Sequence, residues 1–481
     1  MTSRGIRFTD CLGAGVSLVF GAAGLMFSSG LYAADNCTPA ACTPTGPDCQ
    51  QCQSVFENAA AKLKNLDPGT CTPNGCAAPT ACGPVATPCD PSAVFSDPGC
   101  GKSGGFENWT LLDSFTDECG NNTLKCNGFQ VGGWTQIGYQ NRPDGAFTGN
   151  GVFNNVYFGD AANLPNAREW HHLHLNQQGL YFGKVADGSN GLGWGFRVES
   201  IFGVDGNEAQ SFGNNPGQYD FDTEWNHGVY EWSLPQLYGE VAYNNVSVKV
   251  GHFYTPVGYE VIPSGGNFFL SRQLTFYNSE PFTHTGALAT VKVNDKLQVL
   301  SGWTLGMDTG FDQLADGNSY LGGFIFQMTE KTNLTYMMTA GDLGWRGNGA
   351  INSAILAHNW TDKWSSVHQF DILGSDLTVG GVPTDFATTG ITGDSIGQIN
   401  YLFYQATDKV KLGAREEWYK ADGVSYYTFT YGLNVKPLKN IVVRPEVRHM
   451  WSPGADATVV APGRGDLFNA TVFGIDAIWT Y

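Results

Sequence analysis

From residue 129 onward, polar and apolar side chains alternate in short runs. In the stretch 247–303, Val246, Val248 and Val250 alternate with Ser247, Lys249 and Gly251, the two-residue period of a strand with one apolar and one polar face. A second alternating run covers 286–293 and reaches Asn294-Asp295, and the chain returns at once through 297–305. A long insertion, 254–282, rich in Pro, Gly, Asn and aromatic residues, separates the first run from the second. Short polar connectors recur at Asn244-Asn245, Asn294-Asp295, Glu330-Lys331, Thr361-Asp362-Lys363, Thr407-Asp408-Lys409 and 436–440, while the opposite hairpin ends carry loops of unequal length. Tight turns at one end and long loops at the other describe an all-β chain: a transmembrane antiparallel β-barrel. The marks delimit about sixteen strands, an even number that leaves both chain ends on the short-turn side.

The two faces differ in what they can touch. Arg197 and Glu199 alternate with Phe196 and Val198; Lys411, Arg415 and Glu417 with Val410, Leu412 and Ala414; Arg444, Glu446 and Arg448 with Ile441, Val443 and Val447. Lys249 and Lys292 are lone charges opposite valines. Charged rows need water or protein, so they mark the inside, and the apolar rows mark the lipid side. Pro445 would remove a ladder hydrogen bond, and Glu416 would face lipid; both suit a bulge or rim. The chain stops on an alternating run, Phe473, Ile475, Ala477, Trp479 and Tyr481. A terminal strand ending in an aromatic residue resembles the signal that outer-membrane barrels present to their insertion machinery, here through Trp479 and Tyr481.

Composition adds to this reading. Of 481 residues, 63 are Gly, 13% are aromatic and only 15% are charged, which suits many turns and two aromatic girdles. A net charge of -18 argues against nucleic acid as a partner, because phosphates need a basic surface. Residues 1–33 read as a signal peptide: Arg4 and Arg7, an apolar run over 11–27, then small residues to Ala33. Residues 34–128 form a cysteine-rich, Pro/Ala/Thr-rich extension, and 129–481 the barrel. The extension carries Cys37, Cys42, Cys49, Cys52, Cys71, Cys76, Cys82, Cys89, Cys100, Cys119 and Cys126. Exported cysteines among Pro and Gly point to disulfides that staple a segment too small to bury a core. A metal site would want a second pair to match Cys49 and Cys52, and the chain has none. The histidine cluster of His171, His172 and His174 suits a lumen or rim position. Catalytic signatures are missing, and no cofactor or metal is expected.

Three segments together carry a family resemblance: Pro256-Val257-Gly258-Tyr259-Glu260, Asn267-Phe268-Phe269-Leu270-Ser271-Arg272 and Pro281-Phe282-Thr283-His284-Thr285-Gly286. They resemble the signature stretch of the OmpL-like outer-membrane β-barrel porins, and Arg444-Pro445-Glu446-Val447-Arg448 is similar to that family's late strand. The resemblance implies a porin of the cell outer membrane, a water-filled channel for passive diffusion of small hydrophilic solutes or ions. By the strand marks, 254–282 is the third long loop, joining the fifth and sixth strands. It is the candidate constriction, with Glu260, Arg272 and Glu280 as polar lining, because opposed charges in a narrow channel screen solutes by size and charge. Arg197, Glu199, Lys249, Lys292, Arg415, Glu417, Arg444, Glu446 and Arg448 would line the lumen. The alternative is a plugged structural barrel anchoring the outer membrane to the cell wall through its cysteine-rich arm. A soluble exported β-sandwich or solenoid is the third class.

Overall fold

The computed structural model describes residues 109–116, 122–141, 173–206, 209–223, 230–313, 315–379, 382–383, 392–453 and 470–481. The signal peptide, the cysteines from Cys37 to Cys119, His171 and His172 lie outside the described residues. Of the cysteine set, only the backbone of Cys126 is described, at the end of the short helix Thr123–Cys126.

Eighteen strands follow. The first six are Phe129–Gln140 (β1), His174–Lys184 (β2), Leu192–Gly203 (β3), Glu231–Tyr243 (β4), Val246–Tyr254 (β5) and Thr283–Lys292 (β6). Next come Leu297–Thr304 (β7), Asn318–Thr329 (β8), Thr332–Asp342 (β9), Asn348–Asn359 (β10) and Trp364–Ser375 (β11). Thr378–Val379 (β12) and Val382–Pro383 (β13) form a separate small hairpin. Asp394–Thr407 (β14), Val410–Ala421 (β15), Val424–Leu438 (β16), Ile441–Trp451 (β17) and Ala470–Thr480 (β18) complete the chain. Sixteen of these strands close into one antiparallel barrel, each paired with its neighbours in chain order and β18 with β1. At the closure Gly133 and Tyr481 exchange backbone hydrogen bonds of 2.8 and 3.0 Å. Closure leaves no sheet edge, as a strand structure in hydrocarbon must.

The alternation read from the sequence is the inside–outside alternation of the wall. Outward residues such as Leu180, Phe182, Trp194, Val241, Val250, Leu402, Leu412 and Phe473 are exposed. Near the short-turn end Phe129 stacks on Phe182, Phe182 meets Phe196 edge-on and Phe196 stacks on Trp194 along the outer surface, with the Lys184 ammonium 3.8 Å from the Trp194 ring centroid. Aromatic belts with basic side chains at the rim suit a membrane interface. Inward residues are mostly buried. Trp134 lies flat on Gly179 of the next strand, where a β-carbon would collide with the indole.

Pro445 sits at an irregularity, as its chemistry requires, whereas Glu416 stands near the middle of its strand and not at the expected bulge or rim. Pairing of β16 with β17 reaches Gly432 opposite Glu446 and resumes at Val435 opposite Val443, so the ladder is interrupted beside Pro445, which has no N–H to give. Glu416 is exposed on the outer wall, between the half-buried Ala414 and Trp418. The first strand begins at Phe129, where the sequence places the start of the barrel, and β2 begins at His174.

Candidate functional site: the loop across the barrel

The chain between β5 and β6, residues 255–282, turns into the barrel. It contains a 3-10 turn, Ser264–Gly266, and one short helix, Leu274–Asn278. With so little regular structure, its backbone polar groups need partners elsewhere. The wall supplies them, strand by strand around the ring.

On the side of β1, β2, β17 and β18, the Ser264 N–H donates to Gln177 Oε1 at 3.0 Å, and the Ser264 hydroxyl donates to Gln136. Arg444, paired with Asp476 (Nε to Oδ1, 2.9 Å), donates to the carbonyls of Ser264 at 2.9 Å and Asn267 at 2.7 Å. The Glu446 carboxylate accepts from the Leu270 N–H at 2.8 Å and the Ser271 N–H at 3.2 Å. On β15, Glu417 accepts from the N–H groups of Leu274 and Thr275, both at 2.8 Å. Those are the first unpaired donors of the short helix, where a carboxylate is favoured. Arg415 donates to Glu260 at 2.6 Å and to the Ser271 carbonyl at 2.9 Å. Glu260 also accepts from the Tyr401 hydroxyl at 2.7 Å and the Gln273 N–H at 2.8 Å. Gln369 on β11 donates to Glu280 at 2.6 Å. Val257 packs in one apolar cluster with Leu321, Ile325, Met337, Ile351 and Leu373, which line the inner wall from β8 to β11.

Nine of the twelve charged positions singled out in the sequence are therefore buried: Glu199, Glu260, Arg272, Glu280, Arg415, Glu417, Arg444, Glu446 and Arg448 are each no more than 4% exposed. They meet at the contact between loop and wall. Arg272 braces the loop from within, reaching the Ile262 carbonyl at 3.0 Å. Glu199 ties β3 to the loop's entry, accepting from Tyr254 at 2.6 Å and pairing with Arg197 at 2.6 Å. Arg197, Lys249 and Lys292 are half-buried, Lys292 paired with Asp295 at 3.0 Å.

Several signature residues act as braces. Gly258 has φ of 80° and sits where a β-carbon would strike the Glu280 carboxylate, so the position needs glycine. Asn267 clamps the bend through Val261 O at 2.6 Å and Val261 N at 2.9 Å. His284 reaches Thr255 and Gly306, both at 3.1 Å, and Thr285 donates to the Thr309 carbonyl at 2.6 Å. Ser271 shares the Arg415 guanidinium, Tyr259 packs its ring on Tyr401, and Phe282 stacks on Phe276. Pro256 and Pro281 stand at entry and exit, and Gly286 lets β7 approach at Trp303. Asp308, in the next long loop, accepts from the N–H groups of Phe282 at 2.6 Å and Thr283 at 3.1 Å. Burial pushes its carboxyl up to about 6 from 3.8, against the pull of those donors and of Arg346. Gln136, Gln177, Gln369, Tyr401, Asp308 and Asp476 were not foreseen from the sequence; only Asp476 carried a signal, as a charge on the inward face of the last strand. Among the described residues no three His, Cys, Asp or Glu side chains converge on one point.

Two consequences are measurable. Arg415→Met leaves Glu260 buried without its cation, which costs about 3–5 kcal/mol; the urea midpoint of the folded barrel should fall accordingly, and Glu260→Gln in the same chain should recover most of the loss. A fall under about 1 kcal/mol would mean a hydrated pair. For Asp308 the folded value lies above the ordinary one, so its contribution is full below about 4 and is lost as pH rises through about 6. Wild type should lose stability relative to Asp308→Asn across that interval, and parallel urea midpoints would contradict the burial argument.

No curated protein matches the chain. Among solved structures, the anion-selective porin from Comamonas acidovorans is similar at 11% identity and a TM-score of 0.47, over 73% of this chain and 99% of that one. A mutant of the Rh. blastica porin is similar at 11% identity and 0.45, over 73% and 100%. The outer membrane channel DcaP of Acinetobacter baumannii is similar at 10% identity and 0.44, over 73% and 97%. The family model described as "Putative beta-barrel porin-2, OmpL-like" matches residues 128–481. The chain thus belongs to the OmpL-like beta-barrel porin-2 family: a non-enzymatic barrel of the outer membrane with a channel fold.

Proposed function

We propose that this barrel conducts small hydrophilic solutes and ions by passive diffusion, with the loop 255–282 as its constriction. The observation that carries the reading is the loop's double attachment. It leaves and re-enters the wall at β5 and β6, and its middle is tied to β15 and β17 by buried charges and to β1 by the Gln136 amide. A segment held on both sides of a lumen narrows it. The charges that hold it are taken up in that task, so the charges left to face water set the ion preference. Those include Lys249, Lys292 and Lys411, all half-buried and more exposed than the inward carboxylates Glu199 and Glu240, at 1% and 7%; Arg197 is taken up by Glu199. A cationic inner surface favours anions despite the chain's net charge of -18.

The plugged-anchor reading keeps one observation in its favour. At the level of the loop the inner wall is covered, with Arg415, Glu417 and Tyr419 at 0% exposure. Current decides between the two. In a planar bilayer the purified protein should show stepwise conductance, a reversal potential of anion-selective sign in a salt gradient, and a conductance raised by about twofold or more when 258–280 is deleted. Deletion leaves Arg415, Glu417 and Glu446 in a wet lumen, where hydration replaces the lost partners. Unchanged conductance would remove the loop as constriction; silence from a folded, heat-modifiable barrel would favour the plug.

A further inference from the structure

The outer wall carries one feature that neither lipid nor conduction explains. His368 on β11, Asn400 on β14 and Glu416 on β15 are register partners on three adjacent strands. All three point outward: His368 and Glu416 are exposed, and Asn400 is half-buried. Each lies near the midpoint of its strand. Around them the outer wall is mostly apolar, with Phe370 at 43%, Leu402 at 47% and Leu412 at 43% exposure, and Gln398 beside Phe370 as an exposed amide. A carboxylate facing hydrocarbon at mid-wall is unfavourable, and intramembrane ionisable groups are rare and meet partners.

The row has internal order. His368 Nδ1 lies 2.8 Å from Asn400 Oδ1. A carboxamide oxygen only accepts, so Nδ1 carries the proton and Nε2 is the ring nitrogen left for an outside partner. Glu416 has neither a salt bridge nor a hydrogen bond to another side chain among the described residues. Read along the wall, the row runs base, amide, acid, and beyond Phe429 it reaches a second base, the half-buried His449, whose Nδ1 is held by the Thr471 hydroxyl at 2.8 Å.

We propose that this face binds a second copy of the chain, the two barrels related by a two-fold axis parallel to the barrel axis. That axis is the one two copies inserted in the same sense can share. Rotation about it reverses the left–right order of the row, so His368 of one copy faces Glu416 of the other, and the two Asn400 amides meet near the axis. The row is thus complementary to itself, as a two-fold interface requires. Strand tilt sets His368 and Glu416 at different heights, a gap that the lengths of the two side chains span. Whichever of the pair holds the proton, one hydrogen bond joins Nε2 to the carboxylate. The surrounding Phe and Leu side chains pack against their equivalents.

Native mass spectrometry of the full protein released from lipid nanodiscs tests this. Wild type should be a dimer. Glu416→Lys should be a monomer that retains heat-modifiable migration, and His368→Glu combined with Glu416→Lys should restore the dimer by exchanging the charges. Glu416→Gln, which keeps the shape if the lysine variant does not fold, should weaken association by about tenfold or more, because the two-fold interface loses a hydrogen bond to a charged group at both equivalent pairs. A monomeric or trimeric wild type, an unweakened Glu416→Gln dimer, or a folded charge-exchanged pair that stays monomeric would each overturn the proposal.

Discussion

The structure depends on three buried carboxylates. Glu260, Glu417 and Glu446 each take charge from water and return it to backbone N–H groups or a guanidinium at the meeting of loop and wall. Burying such charges without partners would be prohibitive; with partners, removing any one strands the rest. The loop has little regular structure of its own, so its backbone donors are the natural complement to acidic groups on the inner wall. Loop and barrel are accordingly one polar network.

The membrane imposes the second constraint, and it acts on the other face. Hydrocarbon demands a closed ladder and apolar outward side chains, which sixteen strands with Leu, Val, Phe and Trp outside provide. The inner face is then free to carry Arg, Glu, Gln and Tyr at every second position, and it is there that the family signature is spent. Gly258, Asn267, Ser271 and His284 shape or fasten the loop. Arg197 joins that network through Glu199, and Lys411 lies over the rings of Phe268 and Phe403.

Much of this was legible in the chain. The Val246–Val250 alternation, the polar connectors and the inward rows at Arg415 and Arg444 follow from a wall that separates two solvents, a difference strong enough to show at each second residue. Even Glu416 was placed on the outside by parity alone. What the sequence could not tell was whether the inward charges meet water or protein. Glu446 binds donors 175 and 176 residues away, and those donors are backbone N–H groups, which leave no mark in the identity of Leu270 or Ser271. Gln136, Gln177 and Gln369 escaped for a related reason: neutral amides are ordinary on a polar face, and their partners lie far along the chain. The signal peptide and residues 34–108 and 117–121 of the cysteine-rich extension lie outside the described residues and stand as expectations of the sequence.

The central claim is that the loop 255–282 lies inside the barrel and is fastened to the wall at β1, β15 and β17. Paired cysteines at Gln136 and Ser264 test it most directly, with the cross-linked peptides identified by mass spectrometry after mild oxidation of the folded barrel. The account predicts a disulfide joining the two positions in most molecules and a conductance equal to that of the reduced protein. A barrel that folds without forming that bond, or whose conductance changes sharply when it forms, would place the loop elsewhere and contradict it.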